Sequence, residues 1–594
     1  MTGGRKRWRL RPAVAAEGLA RSPFPPLIRR LLVQRGVSSE DEAARFLFLK
    51  PRPEADPRLV PGLERAVERL AQAVAQGETV AVFGDFDVDG ITAAALVSEA
   101  LGELGATALP YIPDRFREGY GLNVPAIAEL AGRGAGLLVA ADCGTSSVAE
   151  VEEAGRLGME VLVLDHHAIP LKLPTFLALV NPKLGNERGP YADLASVGVA
   201  YETMAALYAA IGRPWQEERF LDLVAIGTVG DLAPLVGENR HLVKRGLAAL
   251  RKAERPGLRA LMATANLQPE AVDIEGIAYG LAPRLNAAGR LAHAEASLRL
   301  LLTTNEGEAE ELAVRLDALN QERRRQQKQA LALATELLAA EDPDGSRPLI
   351  FVAHPEIPQG VAGLVASRLV DERYRPAVVC QTGEAESRGS CRSIPEFDIV
   401  TALRRQERLL VRFGGHRLAA GFTVANENLP ALKRALLEHA GEELAGVELS
   451  PVLDIDAEVP LARLRGEEIR WLQSLPPHGQ GNPEPTFLSR GVLVTEARLV
   501  GSDGQHLRLK LKDGPVTWPA MAFALGEAAM EGPAGRPTFG PGQRADVVYS
   551  LAVDRRGSDA SSARSGQALE LRVKDLAPTA SGQNPEPRTE NQPA

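Results

Sequence analysis

Three aspartates at alternate positions, Asp85, Asp87 and Asp89, close an apolar run and lead into Gly90. The run from Thr79 to Phe83 has the make-up of a buried parallel strand ended by Gly84, and ITAAALVSEAL after Gly90 reads as an apolar-faced helix. Acids crowded at the carboxyl end of a strand repel one another unless a cation lies between them, and in open α/β sheets that end is where ligands sit. A helix N-cap with solvated acids accounts for one such turn equally well. A calcium loop does not, because Ile91, Thr92 and a run of alanines follow where its last carboxylate belongs.

Repetition favours the metal. Asp142 follows the apolar run 137–141, and Asp165, His166 and His167 close the run 161–164. LDLVAIGTVGDLAPL, read as a fourth strand, delivers Asp231. Singly, these acids could cap helices and the histidines could be satisfied loop residues. Together, four strand ends of one sheet assemble carboxylates and imidazoles on one edge. That mixture suits Mn²⁺ or Mg²⁺ better than zinc, because oxygen donors predominate and no thiolate is present. So many ligands fit two ions about 4 Å apart sharing a carboxylate, an arrangement suited to phosphoester hydrolysis.

The elements that must position these groups lie between about 60 and 300, where apolar strands alternate with helices as in a parallel sheet covered on both faces. At 594 residues the chain should hold three to four domains. Its three cysteines, Cys143, Cys380 and Cys391, are far apart and imply a reducing compartment without a disulfide framework. No signal-like or membrane-spanning run is found, so the expectation is a cytoplasmic protein without a membrane partner. A net charge of −9 argues against coating nucleic acid over the whole surface but leaves room for a local basic groove.

GDFDVDG, ADCGTSS, LDHH and VGDLAPL resemble, in order, the four motifs of the DHH phosphoesterase superfamily. The resemblance implies Asp85, Asp87, Asp142, His166 and Asp231 as metal ligands, with Asp142 bridging and Asp89 and His167 assisting catalysis. Ala81 stands where some members place a further histidine, four residues before the first Asp. YIPDRFREGYGLN, LAPRLNAAGRL, GSCRS, FGGHRLAAGFT and PPHGQGNPEPTF resemble, again in order, the RecJ family of single-strand-specific exonucleases. Membership implies 5′ to 3′ hydrolysis of single-stranded DNA to mononucleotides with Mn²⁺ or Mg²⁺, in recombination and repair. It also implies single-strand-binding protein and a RecQ-type helicase as partners.

The expected organisation is an N-terminal extension (1–50), a parallel-sheet DHH catalytic domain (51–304), a connecting helix (305–340), a second α/β domain of DHHA1 type (341–447), an OB-fold β-barrel (448–577) and a disordered tail (578–594). The helix carries Arg323, Arg324, Arg325 and Lys328, either a solvated face or a basic wall beside DNA. In the second domain Gly414, Gly415 and His416 allow close approach of an oxyanion, and Arg392 with Ser393 suits a terminal phosphate. Arg115 and Arg290, each in glycine-containing loop sequence, are further phosphate candidates or else partners of the acids. Tyr120 is placed to stack on a base or to anchor packing. In HLRLKLK the leucines face one side, while Arg508, Lys510 and Lys512 offer a basic outer face for single-stranded DNA or merely for solvent. Two other functions fit parts of this pattern: a phosphoesterase for short oligonucleotides or another small phosphoester, and a non-catalytic DNA-binding scaffold.

Overall fold

A run of five apolar residues, flanked by helix-forming sequence, recurs through the first third of the chain, and each recurrence becomes a strand of one parallel sheet. A computed structural model describes residues 6–48, 56, 59–185, 189–501, 503–526, 538–553 and 569–579. The chain divides into two compact units, one of residues 53–449 and one joining 4–52 to 450–594. In the first unit, β1 (Thr79–Gly84), β2 (Thr107–Tyr111), β3 (Leu137–Ala141), β4 (Glu160–Leu164) and β5 (Ala178–Val180) form a parallel sheet in the order β2-β1-β3-β4-β5. Alternate strand residues feed opposite faces: Val80, Val82 and Val139 enter the larger core, while Ala81, Phe83 and Leu138 enter the smaller one.

Helices α1 (Val88–Glu103), α2 (Val124–Gly132), α3 (Ser196–Ala210), α4 (Glu217–Gly230) and α5 (Ala282–Leu291) surround this sheet or extend its larger core. The fourth expected strand is instead α4, with Asp231 as its C-cap. Its ten residues from Phe220 to Val229 are all buried, and a helix apolar on every side shows no period that separates it from a buried strand. Behind the site Arg255 bonds Glu99 Oε2 of α1 (2.8 Å), Asp222 Oδ2 of α4 (3.2 Å) and Leu301 O (2.7 Å), fixing the helix that delivers Asp231. The run holding Arg290, read as a loop, is helix α5.

One buried acid lies apart from these pairs. Glu202 of α3 is pushed up to about 8 by burial and then by the charges of Glu238 and Glu217. Unfolded, the group gives up its proton near its ordinary 4.5, whereas folded it keeps the proton to about 8, so folding is penalised increasingly as pH rises through that window. Glu202→Gln should stabilise the protein by on the order of 1–3 kcal/mol at pH 8 and by far less at pH 5. Melting temperatures at the two pH values check this; equal shifts at both would contradict it.

Helix α6 (Glu306–Glu341), capped by Asn305 Oδ1 accepting from Glu308 N at 3.0 Å, is about 54 Å long at 1.5 Å per residue. Leu312, Ala313 and Leu316 join the core of the first sheet, and Ala330, Ala334 and Leu338 join that of the next. The second sheet contains β6 (Ile350–His354), β7 (Ala377–Thr382), β8 (Glu386–Arg392), β9 (Leu410–His416) and β10 (Ala419–Ala425) in the order β9-β10-β8-β7-β6, with α7 (Gln359–Arg373) on one face.

In the second unit β11 (Phe487–Val500), β12 (His506–Asp513), β13 (Val516–Ala522), β14 (Arg544–Val553) and β15 (Leu569–Pro578) close into a barrel, because β11 pairs with both β12 and β14. Leu507, Leu509 and Leu511 are buried inside. The N-terminal segment is a structural part of this unit. Arg7–Leu10 pairs in parallel with Val452–Ile455, and Leu19, Ile28, Leu31 and Leu47 share the barrel's core cluster. Ser39 starts its second helix as expected, with Ser39 Oγ accepting from Glu42 N at 3.3 Å. The three cysteines are free and buried. Among the described residues no helix is long and apolar enough to cross a membrane. The expected tail lies almost wholly outside the described residues.

Candidate metal centre and phosphate site

Gly84, Ala141, Leu164 and Val180 stand in register across β1, β3, β4 and β5. The ladder continues one residue further: Asp85 N donates to Ala141 O (3.2 Å), Asp142 N to Leu164 O (2.9 Å) and Asp165 N to Val180 O (3.1 Å). Strands of a sheet lie about 4.8 Å apart, so three acids emerge side by side in one row. Asp142 takes a left-handed backbone (φ 64°), a conformation uncommon for residues other than glycine, and Ser196 Oγ donates to its Oδ1 at 2.8 Å. Asp87 caps α1, its Oδ1 accepting from Asp89 N (3.0 Å) and Gly90 N (3.3 Å). Gly90 serves packing rather than the turn: a Cβ there would stand 2.4 Å from Asp85 N.

Three overlapping groups result, each with ligand atoms within 4.8 Å of one another: Asp85, Asp87 and Asp142; Asp142, His166 and His167; and Asp89, His166 and Asp231. Asp142 and His166 each belong to two groups; a carboxylate could serve two ions through its two oxygens, whereas a neutral imidazole serves one through a single nitrogen. Burial first, then neighbouring carboxylates, push the carboxyl groups of Asp85, Asp89 and Asp142 well above their ordinary range, and burial with Asp87 pushes Asp231 up to about 7. The buried Asp85 Oδ1 has no hydrogen-bond partner. These acids can be ionised together only with positive charge between them, so the donor set fits divalent cations. Ala81 is fully buried in the smaller core beneath the row and supplies no ligand.

The histidines differ. His166 Nε2 lies 3.5 Å from Asp142 Oδ1 and 3.8 Å from Asp231 Oδ2, and burial, then His167 and Lys183, lower its pKa to about 4. Neutral at pH 7, it is ready to ligate. His167 Nδ1 lies 2.7 Å from Asp165 Oδ1, while Thr145 Oγ1 donates to Asp165 Oδ2 at 2.5 Å. Burial disfavours charge on His167, but its bond to Asp165 and that residue's charge hold its pKa above the ordinary value. Tyr120 Oη sits 3.2 Å from His167 Nε2, so this ring is held at both nitrogens. Asp165 thus positions His167, and Asp165→Asn should reduce turnover about 10–100-fold with metal content retained. Steady-state rates with metal analysis check this; full activity would contradict it.

Asp89, expected to assist catalysis, has another task visible in the fold. Its two oxygens accept from Ser196 N (2.8 Å) and Val197 N (2.9 Å), anchoring the start of α3.

Beside the acids stand four arginines. Arg115 lies 4.8 Å over the Phe86 ring. Arg290 is lowered to about 10 by burial, then by the charges of Arg115, Arg323 and Arg392. Burial also lowers Arg115, Arg323 and Arg392. Among the described residues none of the four forms an ion pair with a carboxylate; of the expected pairing with the metal-site acids there remains an attraction at longer range, of Asp85 and Asp87 on Arg115 and of Asp87 on Arg290. Gly363 of α7 makes room for Arg392, whose Nη2 would be 3.2 Å from a Cβ there. Four like charges, partly buried and with no carboxylate in ion-pair contact, form a site for an anion. Arg323 was legible only as part of a basic helix; its neighbours come from sequence far away.

The other candidates are arranged less directly. Ser393 Oγ donates to Phe397 O at 2.8 Å, so the hydroxyl expected on a phosphate is engaged within its own loop. Gly414, Gly415 and His416 lie on the exposed edge strand β9, with His416 paired to Ala419 and Ala419 to Arg392. His416 is thus two strands, about 10 Å, from Arg392. In the barrel Arg508 and Lys512 are exposed, and Lys510 pairs with Glu496 at 2.7 Å. Arg498, which strand alternation alone did not single out, faces Arg508 directly across the ladder. Two exposed like charges in that position are costly unless an anion joins them.

The parallel sheet ending in acids and the two domains after it define the class. Residues 79–228 match the DHH family, N-terminal domain, residues 347–442 match the DHHA1 domain, and residues 455–561 match the RecJ OB domain. The chain belongs to the RecJ family. It is 38% identical to the single-stranded-DNA-specific exonuclease RecJ of Dickeya dadantii, over 85% of this chain and 89% of that protein. With RecJ of Bacillus subtilis the identity is 35%, over 89% of this chain but 66% of that longer protein. RecJ from Thermus thermophilus in complex with Mn²⁺ superposes with a TM-score of 0.79 at 31% identity, covering 96% of this chain and 80% of that one. Its complex with Mg²⁺ gives 0.74 at 30% identity, over 96% and 78%.

Proposed function

We propose that this chain is a metal-dependent exonuclease that hydrolyses single-stranded DNA from the 5′ end to mononucleotides, as its RecJ relatives' names indicate for single-stranded DNA. The observation that carries the reading is the row of mutually repelling acids beside a group of arginines that repel one another and touch no carboxylate. The first accounts for catalysis and the second for capture of a phosphorylated end.

Asp85, Asp87, Asp142, His166 and Asp231 would hold Mn²⁺ or Mg²⁺, with Asp142 central. When bound, such ions supply Lewis acidity to the phosphate and lower the pKa of water to within reach of neutral pH. Arg115, Arg290 and Arg392 bind the terminal phosphate, and Arg323 adds positive charge behind them. A strand end so held presents its next phosphodiester to the acids, which sets the polarity. His167, held at Nδ1 by Asp165, would exchange its Nε2 contact with Tyr120 for a non-bridging oxygen of the bound phosphate. Asp89 keeps the α3 start, and with it Ser196, against Asp142. The exposed face of β12, with Arg498, tracks the strand's backbone. A substrate of one or two nucleotides needs no such surface, and a non-catalytic scaffold needs no such gathering of metal donors, which is intact apart from the position held by Ala81. From the family likeness we also propose single-strand-binding protein and a RecQ-type helicase as partners, and a cytoplasmic location.

The test follows products from linear strands labelled in their 5′ phosphate with Mn²⁺, with chelator, and against circular single strands. Mononucleotides released from the 5′ end, metal-dependently, with circles intact, are expected. Cutting of circles, or oligonucleotide products at early times, would overturn the reading.

A further inference from the structure

The segment between β2 and α2 carries Arg115, assigned above to the terminal phosphate, and Tyr120, which holds His167. Its backbone has little rigidity of its own: Gly119 (φ 90°) and Gly121 (φ 81°) flank Tyr120, and no regular element forms between Tyr111 and Val124. One carboxylate ties it at three points. Glu118 Oε1 accepts from Tyr111 Oη at 2.7 Å and from Asn123 Nδ2 at 3.1 Å, and Glu118 Oε2 accepts from Asp114 N.

Two of the ties reach fixed bodies, and the third closes the turn between them. Tyr111 ends β2, its ring stacked on Phe83 of β1 at 5.3 Å, two residues before Asp85. Asn123 caps α2, its Oδ1 accepting from Ala126 N at 2.9 Å. Asp114 folds the intervening turn, its Oδ1 accepting from Phe116 N (2.8 Å) and Arg117 N (3.1 Å), so that Arg115 is held between fixed neighbours. Among the described residues Glu118 forms no hydrogen bond or ion pair with the acids or arginine side chains of the site. We infer that Glu118 is a positioning residue that latches this segment to the sheet and to α2, and so sets the preference for a 5′-phosphorylated end by holding Arg115 in place.

The inference rests on Arg115 acting at the terminal phosphate, and the experiment separates the two. The ratio of kcat/KM on 5′-phosphorylated to 5′-hydroxyl strands is measured for the full chain and for Arg115→Ala, Glu118→Gln, Tyr111→Phe and the double variant Arg115→Ala/Glu118→Gln. Glu118→Gln should lower the ratio about 10-fold, within the range for residues that orient a ligand-binding group, mainly through KM on phosphorylated strands. Tyr111→Phe, which loses one hydrogen bond and keeps its ring on Phe83, should lower it about 3-fold. The double variant should match Arg115→Ala, because the latch acts through that residue. If Arg115→Ala lowers the ratio and neither latch variant does, the inference falls and the phosphate assignment stands. If Arg115→Ala leaves the ratio unchanged, both fall. Equal slowing on both ends by the latch variants, tracked by a lower melting temperature, would mark Glu118 as a general structural residue and overturn its role in end preference.

Discussion

Asp142→Ala is expected to abolish strand degradation, lowering turnover by about 10³-fold or more, because the row loses the group shared by two ligand sets. Manganese affinity, read by calorimetry, should fall in parallel. The stability of the metal-free protein should hold or rise. Burial and the charges of Asp89, Asp87 and Asp85 drive the Asp142 carboxyl well above its ordinary range, so at neutral pH its presence opposes folding. A structural acid would behave oppositely, with its loss lowering the melting temperature and sparing turnover in whatever remained folded. Undiminished cleavage by the variant would remove Asp142 from the mechanism.

Arg290→Met is expected to lower kcat/KM on 5′-phosphorylated strands about 10²-fold, the size of one or two charge-assisted hydrogen bonds. On 5′-hydroxyl ends the loss should be several-fold smaller. The same change should raise the melting temperature. Arg290 is part-buried beside three like charges, which outweigh the opposing Asp87, and among the described residues its side chain's hydrogen bond, Nη1 to Gly360 O, is long at 3.4 Å. Methionine keeps the apolar stem and removes a charge that folding must desolvate. Loss of function with gain of stability is the signature of a group retained for its ligand. A lower melting temperature with the end preference intact would show that Arg290 serves the fold instead.

Much of the acid row was legible in advance, because an apolar run of five residues ending in Asp is a strand end wherever it falls in a parallel sheet. Asp85, Asp142 and Asp165 share a row for that reason alone. Asp231 was placed at the site although its element was misread. A fully apolar stretch carries no period, and helix α4 and a strand deliver their last residue to the same edge. The stacking role expected of Tyr120 was drawn from its ring, whereas its hydroxyl on His167 depends on a fold back across the sheet edge.

What remained hidden depends on residues far apart in sequence. Nothing local marks Ser196 as a partner of Asp142, residues 6–48 as part of the barrel's unit, or Ser393 as already engaged by Phe397. The sequence by itself determined which strand ends carry acid and imidazole, and hence the chemistry, since those facts follow from side-chain type and a period of two or none. Only the tertiary structure decided that Arg115, Arg290, Arg323 and Arg392 repel one another in one place. Electrostatic energy depends on distance through space, which the order of residues along a chain does not contain.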